Sequence, residues 1–451
     1  MRMKKHIKRL VCVLLTLCCL SLSSCSGVFS DPKSLMSPPK SGGELAGIED
    51  TLNKAVGSLF SFVYPPTGNY RSSCTMHDIT GDGNDEAIVF YKLTDSGEIH
   101  MNYLYRRDSV WTSVFDMKLN CVSIDRIEFA DLCGDSNPEV LIGCSLYNDS
   151  EKTLYIYSVK DNVFSQISQE IYTDFSVCDI VNKSKPQIIL FNFGSNTVIK
   201  DAESNNLNVQ KYASAKLLSF SSADVTNVLG NVSIDRSITS ISSVTQSNFD
   251  GQQALYVDAY KGTAAMVTEI IYYDNKNRKL VNVYENMESG ENAITKRFLL
   301  ANSRDIDNDG TLEIPFGVEV PGYDGSATGD KQYYSIWKRC SKTAFTTVSS
   351  GYYNLTDRYF IKLPENWLGG VTLSLDKKQS SETFYIYDKN GNISTQLLSI
   401  RIFDRSSFNA DKNDYQSVAT DGERVFAAKV DDSDSKYSIS IDYVRSNILI
   451  F

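Results

Sequence analysis

Histidine is scarce in this chain, with three in 451 residues, and only His77 and His100 lie beyond the first 24 positions. That scarcity disfavours hydrolases in which an imidazole activates a serine or cysteine. The patterns GxSxG, HExxH and GxGxxG and the phosphate-binding loop are absent too, which removes the usual marks of esterase, zinc-protease and nucleotide chemistry. None of the ten cysteines stands in a CxxC spacing, so no structural zinc site is expected. Cys74, Cys121, Cys133, Cys144, Cys178 and Cys340 read instead as small buried hydrophobes. No apolar run after the N-terminal segment approaches the roughly 20 residues of a membrane span.

Positive charge is in deficit, with 45 Lys and Arg against 55 Asp and Glu, and the start of the chain carries five cations and no acid. Arg2, Lys4, Lys5, Lys8 and Arg9 precede the apolar run Leu10 to Leu20 and then Leu22-Ser-Ser-Cys25, the layout of an export signal over residues 1–24. Removing those five cations from a formal net charge of −10 leaves about −15, a poor surface for nucleic acid or anionic lipid. Leu-Ser-Ser-Cys resembles the lipobox of bacterial lipoproteins, which implies that Cys25 becomes the lipid-modified first residue. Such a chain is held on the extracytoplasmic face of the cell membrane, since two or more acyl chains give a stable anchor.

Residues 25–43 are rich in Ser, Pro and Gly and read as a flexible tether. Leu45, Ile48, Leu52, Val56 and Leu59 then recur at helical spacing, so residues 44–66 are expected to hold an N-terminal helix and a lead-in.

The chain is organised around Asp305-Ile-Asp-Asn-Asp-Gly-Thr-Leu-Glu313, which runs into an apolar strand. Carboxylates at its first, third, fifth and ninth positions aim oxygens at one centre, and Gly310 allows the tight turn, the arrangement that cages Ca2+. Thr311 offers a backbone carbonyl. An EF-hand is excluded, because its twelfth position is Phe316 and a strand follows in place of a helix.

The layout repeats. Asp78-Ile-Thr-Gly-Asp-Gly-Asn-Asp-Glu86 and Asp131-Leu-Cys-Gly-Asp-Ser-Asn-Pro-Glu139 each run into apolar strands, the second with Cys133 at the third position and Ser136 where glycine belongs. Asp179 to Gln187 keeps the frame without the acids, placing Lys183 at the fifth position, and Val244 to Gln253 is a fainter copy. Strands of the type Asn102-Tyr-Leu-Tyr105, Leu154-Tyr-Ile-Tyr157, Ile270-Ile-Tyr-Tyr273 and Tyr334-Ser-Ile-Trp337 follow, each with a turn and a further strand around Trp111, Phe164, Leu280 and Phe345. Period-two alternation makes each repeat a small antiparallel sheet, and such sheets must stack or close into a ring.

The loop-then-strand pattern resembles the FG-GAP and VCBS repeats, including the integrin α-chain propeller, and the whole resembles lipoproteins of clostridial gut bacteria. The resemblance implies a mainly β chain: a β-propeller of five to seven blades over residues 67–350, preceded by the helix and followed by a small α+β domain over residues 351–451. It also implies structural Ca2+ held by Asp78, Thr80, Asp82, Asn84 and Glu86 and by Asp305, Asp307, Asp309, Thr311 and Glu313.

In the last hundred residues Tyr437, Ile441, Val444 and Ile448 lie at helical spacing, with Asp432, Ser433 and Asp434 as helix-start residues. Trp367, in Leu363-Pro-Glu-Asn-Trp367, is expected to anchor a core. The functional expectation is a lipid-anchored binding protein, binding being preferred over catalysis, with a glycan, a peptide or another envelope protein as ligand on the face opposite the loops. The alternative is an exported carbohydrate-active enzyme with a carboxylate pair in the propeller funnel.

Overall fold

The computed structural model describes residues 44–451 apart from 109, 148–151, 182–184, 201–206, 222–224, 328, 389, 410–413 and 432–434. The signal segment, Cys25, the tether and Lys183 lie outside the described residues, as do Asp432, Ser433 and Asp434. No helix among the described residues is long and apolar enough to cross a membrane.

Six antiparallel sheets of four or five strands follow one another along the chain, consistent with propeller blades. Sheet 1 takes β1 (Phe60–Phe62), β2 (Cys74–His77), β3 (Glu86–Leu93), β4 (Ile99–Arg107) and β5 (Val110–Leu119), with β1 and β2 sharing one edge of β3. Sheet 2 runs β6 (Ser123–Ala130), β7 (Glu139–Ser145), β8 (Lys152–Lys160), β9 (Val163–Tyr172). Sheet 3 runs β10 (Asp174–Cys178), β11 (Gln187–Lys200), β12 (Leu207–Phe220), β13 (Thr226–Ser233). Sheet 4 runs β14 (Ser240–Phe249), β15 (Gln252–Lys261), β16 (Ala265–Asp274), β17 (Lys279–Asn282). The expected strands around Trp111, Phe164 and Leu280 are β5, β9 and β17.

Sheet 5 contains β18 (Glu313–Glu319), β19 (Tyr333–Cys340), β20 (Phe345–Asn354) and β21 (Tyr359–Lys362). Sheet 6 contains β22 (Val371–Asp376), β23 (Ser381–Tyr387), β24 (Ile393–Asp404), β25 (Gln416–Asp421) and β26 (Arg424–Val430). The chain then returns, and β27 (Ile448–Ile450) pairs with β21 to complete sheet 5. The boundary expected at 350/351 therefore falls inside β20, and both sides of it contribute to one sheet.

Inner strands are buried on both faces because neighbouring sheets sandwich them, and side chains alternate between the two neighbours. Val140 and Ile142 of β7 face sheet 1 beside Ile88 and Phe90, whereas Leu141 faces sheet 3 beside Ile188 and Leu190. The same alternation carries contact onward from sheet 3 to 4, from 4 to 5 and from 5 to 6. Sheets 1 and 6 share no core cluster among the described residues. The outer face of sheet 1 is covered by α1 (Glu44–Val56), whose Ile48 and Leu52 lie on Ala87, Val89 and Tyr91. On sheet 6, Ser374, Thr383, Tyr385, Ser399, Tyr415 and Lys429 line an open polar groove of about 430 Å³.

Three expectations need correction. Leu59 is not part of the helix: Gly57, at φ 65°, ends it in a left-handed turn, and Leu59 is 82% exposed. Residues 244–249 form the end of β14, joined to β15 by the tight turn Asp250-Gly251, so sheet 4 has no acidic loop. At the C-terminus, α2 (Ile441–Asn447) starts at Ser440, whose hydroxyl accepts from Tyr443 N, and Ile448 begins a strand. Trp367 is fully buried, with its indole N–H donating to the Tyr437 carbonyl at 3.0 Å.

Candidate functional site

The acidic loops lie at one end of the sheets and hold their shape by internal hydrogen bonds. Asp78 accepts from the backbone N–H of Asp82 and Gly83, and Asp305 accepts from Asp309 and Gly310 in the same way. Asp131 does so with Gly134, Asp135 and Ser136, although Cys133 is buried in the core and contributes no oxygen. The ninth residue closes each loop. Glu86 accepts from Ile79 and Thr80, Glu139 from Leu132 and Cys133, Gln187 from Ile180 and Val181, and Glu313 from Ile306. Gln187 thus does in its loop what glutamate does in the others, without a charge. Burial holds the Glu86, Glu139 and Glu313 carboxyls above the usual carboxylate range, with the hydrogen bonds opposing it.

Asp305, Asp307 and Glu313 each bring an oxygen within 4.8 Å of one another, an all-oxygen set that can hold a metal ion. Asp309 Oδ2 pairs with the Arg339 guanidinium at 2.8 Å. Arg339 Nη2 also reaches Asp307 at 3.2 Å and Glu313 at 2.8 Å. Thr311 donates its backbone N–H to Asp309 Oδ1 at 2.9 Å. In the first loop Thr80 Oγ1 donates to Glu86 at 3.2 Å, and the Asn84 backbone and side-chain N–H groups both donate to Asp82 Oδ1. No ion pair is recorded for Asp78, Asp82 or Glu86 among the described residues.

Each loop touches the next sheet or loop. A side chain on Gly81 would meet Asn137 Oδ1 at 2.6 Å, and Gly134 lies against Lys185. Gln246 of β14 brackets the Asp179 peptide, donating to its carbonyl and accepting its N–H, each at 2.9 Å. Ser247 accepts from Leu312 N at 3.2 Å. The loops therefore form a belt along this end.

The acidic loops lead into β3, β7 and β18, so the hairpins leaving those strands lie at the far end. There a cavity of about 760 Å³ opens among the last three sheets. Its walls include Thr263 and Ala264 between β15 and β16, Tyr333 entering β19, Leu355 and Asp357 beyond β20, and Lys377 in the turn from β22 to β23. Phe298 and Leu355, 51% and 46% exposed, give it an apolar rim. On its floor Asn354 Nδ2 donates to both Glu382 Oε1 at 2.6 Å and Asp357 Oδ2 at 3.2 Å, and Tyr359 donates to Glu382 Oε2 at 2.8 Å. Burial pushes the Glu382 carboxyl up to about 7, against the lowering effect of the Tyr359 hydrogen bond. Sequence reasoning missed this group, whose members come from the β20–β21 hairpin and from β23 of the next sheet and share no motif.

The two histidines are structural. His77 stacks on Phe129 at 4.3 Å between sheets 1 and 2, where burial lowers its pKa. His100 Nδ1 meets Asp116 at 2.8 Å.

No family and no curated protein matches this sequence. In structure the chain is distantly similar to the exotype rhamnogalacturonan lyase YesX, with a TM-score of 0.31 and 11% identity over 82% of this chain and 72% of that one. The rhamnogalacturonan lyase YesW gives a TM-score of 0.30 and 11% identity over 86% and 79% of the two chains. The Bacillus licheniformis rhamnogalacturonan lyase PL11 gives 0.30 and 9% over 85% and 74%. At these scores the likenesses transfer no activity.

Proposed function

We propose that this is a lipid-anchored extracytoplasmic binding protein of the FG-GAP and VCBS type, in which the acidic loops staple propeller blades and a glycan occupies the far-end cavity. The observation that carries the reading is the cavity: an apolar rim of Phe298 and Leu355 over a floor of Asn354, Asp357 and Glu382. Sugars present both hydroxyls, which such a floor hydrogen-bonds, and apolar C–H faces, which such a rim covers. Ca2+ would be held by Asp78, Asp82 and Glu86 with Thr80 and Asn84, as structural charge. The test is a binding screen of envelope and plant-type glycans against the purified chain. Phe298→Ala and Asp357→Asn should each weaken a hit at least tenfold, and a hit unaffected by both refutes this placement. Cys25→Ser should release the protein from the membrane fraction.

One observation favours the alternative of a carbohydrate-active enzyme: two carboxyls share the Asn354 amide, and one of them titrates near neutrality. A group of that kind suits general acid work. Turnover of a bound glycan that Glu382→Gln abolishes while binding persists would establish the enzyme reading.

A further inference from the structure

The third acidic loop has a cation of its own. Arg339 stands directly opposite Glu313 in the β18–β19 register, so the ladder itself, not the loop, aims the side chain across the loop mouth. Its guanidinium gives Glu313 Oε1 two N–H donors, at 3.0 Å from Nε and 2.8 Å from Nη2. The same Nη2 lies 3.2 Å from Asp307 and 2.8 Å from Asp309. Three of the four carboxylates expected to surround Ca2+ therefore already surround one positive charge. The fourth, Asp305, spends both oxygens on backbone N–H groups.

The sister loops lack this feature. One step out from the Ala87–Leu104 pair the place opposite Glu86 belongs to Tyr105, whose hydroxyl lies a long 3.4 Å from Asp82. One step out from Val140–Tyr157 the place opposite Glu139 belongs to Ser158, which carries no charge.

We infer that Arg339 is the resident counter-cation of the loop at residues 305–313 and excludes a divalent cation from it. This corrects the expectation, drawn from the sequence resemblance, of Ca2+ in both loops. Calcium needs six to eight oxygen ligands, and to gather them here it must displace a fork already held on three carboxylates and leave the guanidinium unpaired. An intramolecular cation fixed by strand register also competes without the entropy a free ion loses on binding. One fixed positive charge thereby offsets part of the loop's negative charge whatever the Ca2+ concentration outside.

The experiment is calorimetric Ca2+ titration of the full-length, chelator-stripped protein and of three variants. Asp309→Asn should match the unmutated chain in the number and affinity of Ca2+ sites, because the loop takes no metal. Arg339→Gln should gain one site at least tenfold tighter than anything at this loop before, and Arg339→Gln with Asp309→Asn should lose it. Loss of a site in Asp309→Asn alone, or no gain in Arg339→Gln, overturns the inference. If the Gln variant does not fold, Arg339→Lys replaces it: one charge remains, the fork is gone, and a weaker new site is expected, its absence counting against the inference. Metal binding at residues 78–86 is read separately with Asp82→Asn, so failure of the Ca2+ staple there leaves this comparison intact.

Discussion

Ser136 sits at φ 75°, the left-handed conformation that Gly83 and Gly310 supply in the sister loops at 85° and 87°. A residue with a Cβ is strained there, so Ser136→Gly should raise unfolding stability by about 1 kcal/mol in a urea melt. Gly310→Ala should cost a similar amount. A second residue-scale prediction concerns Glu269, fully buried on β16 of sheet 4. It accepts from Asp235 N at 2.9 Å and from the side chains of Asn282 and Asn292 at 2.9 and 3.2 Å. Burial nevertheless raises its carboxyl from the ordinary 4.5 to about 7. The folded protein thus binds a proton that the unfolded chain has released. Its contribution is fully present below about pH 4.5 and is lost as pH rises through 7, a change of roughly 3 kcal/mol. Urea melts across that window should show the slope, and Glu269→Gln should reduce it, leaving the share of Glu382.

At the scale of elements, what was legible depended on whether the information is local. The acidic loops and the apolar strands behind them are written in adjacent residues, through alternate carboxylates, one glycine and period two. Arg339 was not legible, because its meaning depends on pairing with Glu313, and strand register is a property of the folded sheet. The stretch over residues 283–303 was equally opaque, for it contains almost no regular structure yet buries several polar side chains. Asn292, Thr295 and Arg297 are 3%, 0% and 3% exposed. The guanidinium of Arg297 holds Asp258 at 2.8 Å, Thr268 Oγ1 at 2.8 Å and the Ala301 carbonyl at 2.9 Å, so this segment is pinned to sheet 4 by buried polar bonds where other sheets use apolar packing. Arg297→Met leaves Asp258 charged and buried without a cation, and should cost about 3 to 5 kcal/mol. Arg297→Met with Asp258→Leu should recover part of it.

For the molecule as a whole, the number of sheets could be estimated from the repeat length, but the way the chain ends could not. Ile448 lies in phase with the preceding helix, and only the open edge of β21 turns it into a strand. Removing residues 448–451 should expose that edge along with Phe360 and Ile361, both almost fully buried, and cost roughly 3 kcal/mol or more on the scale of buried apolar side chains. Thermal melts of the shortened chain measure it.

The same clasp sets an order of events. Sheets 1 to 4 are each built from strands contiguous in sequence and can form as soon as their own residues are available. Sheet 5 cannot be completed until all of sheet 6 has been delivered, because its last strand follows sheet 6 in the chain. On the proposed export route, with the N-terminus crossing first, β21 remains an open edge until the final residues emerge. The late arrival of β27 makes that interval the time at which a neighbouring chain's strand competes for the same ladder.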